Sequence, residues 1–186
     1  STFNESLLTH MLVDRAEEDR DKLYILGEWL DNYRQTVFRQ AMFAEFEWRA
    51  HQMVEEGRPV TADALSELYL GLLRRYHGHE QGVMDIEELY AIEWAYIPHF
   101  YRNFYVFTYS TGLISSTALA EKVLAGGEKA RDAYLEALSR GGSVYPLEIL
   151  QHAGADLLSP EPYRVANRVF EERLVLAEKL VGKLGL

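Results

Sequence analysis

Apolar residues return at every third or fourth position along almost the whole chain, and that spacing restricts the fold to helices. From Leu23 they fall at Leu23, Leu26, Leu30, Tyr33, Val37, Ala41, Ala44 and Trp48, which is one face of a helix. A second line, Phe38, Met42 and Phe46, makes the later half apolar on more than one side, so that half belongs inside a larger body. Nowhere does the strict alternation of a half-buried strand persist. The expected fold is all-α, a multi-helix domain over 1–186 with no sheet beyond a hairpin.

Helix ends can be read from the breakers. The long helix ends near Gly57, with Pro59 just beyond. Thr61 is placed to cap a helix carrying Leu65, Leu68, Leu72 and Leu73. Residues 77–82 form a loop, and Asp85 is placed to cap a short helix through Glu93. Pro98 suits the first turn of a helix that carries the aromatic run 100–109, continues to about Leu124 and stops at Gly126-Gly127. A short helix follows over 128–138, closed by Gly141-Gly142. Another starts at Pro146 and ends at Gly154. The last starts at Glu161, with its stripe at Ala166, Val169, Phe170, Leu174, Ala177, Val181 and Leu184. No repeat of fixed period is present, which disfavours a solenoid.

The net charge of −10 argues against nucleic acid and anionic membrane surfaces as partners, because both recruit clustered Lys and Arg. There is no cysteine, so disulfides, thiolate metal ligands and thiol catalysis are excluded. That is compatible with a reducing compartment, and the expected location is cytoplasmic. No apolar run reaches the roughly 20 residues that span a bilayer.

Chemistry is densest between Ile97 and Tyr109. On a helix, Tyr101, Tyr105 and Tyr109 stand at i, i+4 and i+8, on one face. Such a row either packs as core tyrosines with satisfied hydroxyls or donates hydrogen bonds to a developing oxyanion or a peptide backbone. His99, next to Pro98, is read either as a structural hydrogen-bonding residue or as a functional one. The order His79-Glu80-Gln81-Gly82-Val83 opens like H-E-x-x-H but has valine fifth and lies in a loop, so it reads as solvated polarity. The pairs Glu47/His51 and Glu148/His152 read as i, i+4 surface pairs. Glu5 reads as a first-turn carboxylate favoured by the helix dipole. There is neither a phosphate-binding glycine loop nor a G-x-S-x-G elbow.

Four segments resemble the oligoendopeptidase F family, in the thimet-oligopeptidase-like group of zinc peptidases. They are Ser1-Thr2-Phe3-Asn4-Glu5, the stretch 36–47 (Thr36 to Glu47), the aromatic run 98–112, and Gly141-Gly142-Ser143-Val144-Tyr145-Pro146 with Gly154-Ala155-Asp156. The resemblance implies the C-terminal helical part of a zincin-type oligopeptidase catalytic domain, lining a channel in which short unfolded peptides are hydrolysed. It implies zinc in the full-length enzyme, held by an H-E-x-x-H helix and a third glutamate that precede the Ser-Thr-Phe-Asn-Glu segment. This chain has no H-E-x-x-H, so it is expected by itself to hold no zinc and to be inactive, with the N-terminal part of the same enzyme as its partner. The resemblance further implies that His99, with Tyr101, Tyr105 and Tyr109, holds substrate and polarises the tetrahedral intermediate. The competing reading is a non-catalytic helical binding or structural module.

Overall fold

A computed structural model describes residues 1–186. It contains seven α-helices and no strand: α1 (Thr2–Arg15), α2 (Asp19–Tyr33), α3 (Arg39–Glu55), α4 (Ala62–Tyr76), α5 (Phe107–Ser139), α6 (Pro146–Ala153) and α7 (Glu161–Leu184). A π-helical turn, Arg34–Phe38, separates α2 from α3, and two 3-10 segments, Glu88–Tyr96 and Pro98–Tyr101, precede α5. The all-α expectation holds. Several ends fall where the breakers put them. Thr61 Oγ1 accepts the Ala64 N–H at 3.2 Å, α6 opens on Pro146, and Gly154 (φ 101°) closes it. At Gly127 the backbone leaves helical geometry (φ 60°, ψ −143°), so α5 is two helical segments meeting at a kink, with the stop where Gly126-Gly127 put it and the helix expected over 128–138 as the second segment. The short helix expected after Asp85 is a 3-10 segment, with Glu87 rather than Asp85 at its N-terminal boundary.

Two compact units make up the chain. One combines Ser1–Arg34 with Thr111–Leu186. In it α2 packs on α7, with Leu26, Ala177 and Leu180 at the centre and Phe170 against the rings of Trp29 and Tyr33. The Arg173 guanidinium lies 4.0 Å above the Trp29 ring, and burial lowers its pKa. A second cluster gathers Phe3, Leu119 and four alanines, Ala120, Ala137, Ala153 and Ala155, with the Phe3 ring stacked on Tyr134.

The other unit is Gln35–Ser110. Here α3, α4 and the Glu88–Tyr96 segment enclose Met42, Phe43, Phe46, Tyr69, Leu72 and Val106. Polar groups join the elements as well. Glu93 takes an ion pair from Arg39 and a 2.5 Å hydrogen bond from the Tyr69 hydroxyl, and the Trp94 indole N–H donates to Ser66 Oγ at 3.1 Å. Burial, and then the bond to Glu93, push the Tyr69 phenol far above its ordinary pKa. Glu45 accepts from Arg49, Arg75 and Tyr76. Burial alone would raise its carboxyl, but these three partners outweigh burial and hold it below the usual glutamate value.

The π turn corrects the expected stripe. A π turn carries one residue more than an α turn, which sets everything after it back by about 100° around the axis. The buried positions therefore run Tyr33, Val37, Met42, Phe46 rather than on through Ala41, Ala44 and Trp48, and Trp48 is 53% exposed. The Ser110 hydroxyl donates to the Val37 carbonyl within this turn at 3.0 Å.

Candidate active site

Residues 97–109 do not form the helix that Pro98 suggested. Ile97 and Val106 are buried anchors of the unit's core, and Tyr109 packs against it. Between them the chain makes one 3-10 turn, Pro98–Tyr101, and then a tight loop. The Arg102 N–H donates to the His99 carbonyl (3.0 Å), and the Tyr105 N–H to the Arg102 carbonyl (3.0 Å). Phe104 has φ +49°, the only non-glycine residue with positive φ, and no α-helix can pass through it. Helix α5 starts only at Phe107. Tyr101 therefore shares no helical face with Tyr105 and Tyr109, and it stands 85% exposed.

The loop nevertheless brings three of the four expected side chains together. His99 Nε2 lies 3.2 Å from the Tyr109 hydroxyl, and that hydroxyl donates to the Tyr105 oxygen at 3.3 Å. The His99 and Tyr105 rings are nearly parallel (6°) with centroids 6.0 Å apart, and Tyr109 meets both edge-on. With the Tyr109 proton directed at Tyr105, an Nε2–H of His99 completes a donor chain from imidazole to Tyr109 to Tyr105. The last hydroxyl is left able to donate outward. The bond to Tyr105 raises the Tyr109 phenol above its ordinary pKa, against the nearby Arg102 charge. Arg102 also sits 5.5 Å above the Tyr105 ring.

The pair Glu47/His51 is not the surface pair its spacing suggested. Glu47 is 6% exposed, and its Oε1 accepts the Phe104 backbone N–H at 2.7 Å. His51 stacks its ring on Phe104, with centroids 4.6 Å apart. The register shift of the π turn carries Glu47 inward. It lies four positions after the buried Phe43, one helical turn along the same face, a signal that was present in the sequence. Nothing in the sequence marks Phe104, because the left-handed region ordinarily selects glycine or asparagine. Beside Glu47 an apolar groove of about 250 Å³ opens between Phe46, Val54, Leu65, Trp94 and Phe100.

The remaining candidates are locally engaged. His77 Nδ1 lies 2.8 Å from the Leu73 carbonyl, and His79 Nδ1 accepts the Ile86 N–H at 3.0 Å. His152 pairs with Glu136 (3.0 Å) rather than with Glu148. Bonds from Arg140 and then His152 lower the Glu136 carboxyl. No group of three or more His, Cys, Asp or Glu side chains is placed to hold a metal ion, so these residues do not fit a zinc centre of the kind the resemblance implies.

The model of Peptidase family M3 matches residues 1–169. Oligopeptidase PepF of Bacillus subtilis (strain 168) is 42% identical over 184 residues, covering 99% of this chain and 27% of that protein. The plasmid oligoendopeptidase F of Lactococcus lactis subsp. cremoris is 44% identical over 184 residues, covering 98% of this chain and 30% of that protein. The crystal structure of oligoendopeptidase-F from Enterococcus faecium superposes with a TM-score of 0.91 at 40% identity, over 98% of this chain and 34% of that one. The chain thus spans 27% to 34% of the length of these relatives. No helix in it is long and apolar enough to cross a membrane. A family match over so much of the chain, together with relatives this similar along nearly all of it, makes the chain a member of peptidase family M3.

Proposed function

We propose that residues 1–186 are the C-terminal helical part of the catalytic domain of a cytoplasmic zinc endopeptidase that hydrolyses short, unfolded peptides. In this reading the chain supplies substrate-holding and oxyanion-stabilising side chains. The observation that carries it is the hydrogen-bonded series His99, Tyr109, Tyr105, with contacts of 3.2 and 3.3 Å. Each donor in such a series strengthens the next, so the Tyr105 hydroxyl is a better donor than an isolated phenol. A donor held in place costs no reorganisation when negative charge develops on a carbonyl oxygen, so it acts mainly on the transition state. Tyr101, exposed and apart from the three, offers a phenol to the backbone of a bound peptide. The apolar groove beside Glu47 offers room for a peptide side chain.

Zinc-binding residues of such an enzyme lie, in this reading, in the length of the relatives that this chain does not span. The residues present do not form a metal site by themselves. The chain alone is expected to cleave no peptide and to hold no stoichiometric zinc. In the enzyme that carries the upstream segment, Tyr105→Phe is expected to lower kcat by about 10²–10³ while KM changes little. Peptide-cleavage kinetics on Tyr101→Phe, Tyr105→Phe and Tyr109→Phe test this, and an unchanged kcat in all three removes the catalytic role. A tightly held zinc and activity in the isolated chain would overturn the placement of the metal site outside it.

A further inference from the structure

The strained point of the loop is held from helix α3 by two side chains one turn apart. Glu47 receives the Phe104 N–H at 2.7 Å, and His51 lies against the Phe104 ring. Phe104 immediately precedes Tyr105, and two residues later the wholly buried Val106 is fixed in the core. The Tyr105 carbonyl is fixed as well, accepting from the Thr108 N–H (3.1 Å) and Oγ1 (2.6 Å). Between these fixed points the sign of φ at Phe104 decides which way the Tyr105 side chain leaves the backbone. An aromatic residue does not adopt positive φ without compensation from its surroundings. The compensation on view is a short hydrogen bond to a buried carboxylate oxygen, which would otherwise have its desolvation unmatched.

We infer that Glu47 is a positioning residue which, with His51, holds Phe104 in the left-handed conformation and thereby aims Tyr105 at Tyr109 and His99. Its importance to catalysis rests on the reading of those three residues given above, but the geometry it enforces does not. Glutamine at position 47 keeps the accepting oxygen in the same place, whereas alanine removes it. Glycine at position 104 adopts positive φ without help and removes the need for the anchor.

The test is aromatic NMR on the full 186-residue chain, without peptide or metal, reading the ring contacts of Tyr105 with Tyr109 and His99. Glu47→Gln is expected to keep these contacts, Glu47→Ala to lose them, and Glu47→Ala combined with Phe104→Gly to regain them. Contacts preserved in a folded Glu47→Ala chain would overturn the inference. So would failure of Phe104→Gly to restore them, because Glu47 would then support the unit in general rather than the φ of one residue. Should Glu47→Ala alone not fold, the double variant decides: a folded chain with the contacts supports the inference, and an unfolded one overturns it. No substrate enters this experiment. Its failure therefore leaves the kinetic test of Tyr105 standing, and failure of the kinetic test leaves the anchoring geometry standing.

Discussion

Where α2 meets α7 the side chains are Leu26, Ala177 and Leu180 with the ring of Phe170, and the backbones are regular. In Gln35–Ser110 the elements meet through Tyr69 and Glu93, Trp94 and Ser66, and Glu45 with its three partners, as well as through apolar contacts. That second unit also holds both 3-10 segments and the left-handed Phe104. Apolar burial is non-directional and suffices where helices run straight. Irregular backbone leaves N–H and C=O groups without helical partners, and directional bonds must satisfy them. Gln35–Ser110 carries both 3-10 segments and the left-handed Phe104, charged and phenolic side chains tie its elements together, and it is also the unit in which His99, Tyr105 and Tyr109 come together.

The contrast is sharpest at single sites. Leu26→Ala removes a fully buried side chain from the α2–α7 contact and is expected to cost about 3 kcal/mol of stability, read by chemical denaturation. The Tyr105–Tyr109 ring contact should survive under native conditions. If it is lost in the folded variant, the two units are not distinct in the way described. Tyr69→Phe keeps the buried ring but deletes the bond to Glu93, and should cost about 2 kcal/mol. A loss close to zero would mean that packing alone holds this unit too. The smallest effect concerns Glu45, whose carboxyl is lowered in the folded chain. A depressed folded value adds stability above the unfolded glutamate pKa, and that stability is lost as pH falls through the folded value. Denaturation midpoints followed from about pH 6 to pH 3 should therefore fall less steeply for Glu45→Gln than for the native chain. Identical slopes would show that its three partners contribute nothing to stability.

The regular part of this molecule was readable residue by residue. The caps and stops at Thr61, Pro146 and Gly154 act locally, so their neighbours in sequence suffice to recognise them. The all-helical class followed from periodicity, which survives any error in phase. Phase itself was lost at Arg34–Phe38, because a π turn has no compositional signature, and with it went the inward placement of Glu47. The loop at 102–106 was hidden for a different reason. Its geometry is imposed by a carboxylate more than fifty residues earlier in the chain, and Phe104 carries no sign of it. The membership of His99, Tyr105 and Tyr109 in one cluster was legible, but by a route the structure revises. A helical row of three tyrosines was expected, whereas a turn delivers two of them to a histidine and leaves Tyr101 outside.

The surplus residue in Arg34–Phe38 has a consequence for how this chain tolerates insertions and deletions. A π turn is an α turn with one residue inserted, so deleting one residue there would let it close as an α turn and leave the later side chains of α3 where they stand. Inserting one more residue has no such outlet and would act as a frameshift written in three dimensions. Phe46 would inherit the place of Glu47, Glu47 that of Trp48, and the amide of Phe104 would face a phenyl ring where it now meets an oxygen. Of two one-residue changes that look alike in an alignment, one would leave the anchor of a distant loop intact and the other would erase it.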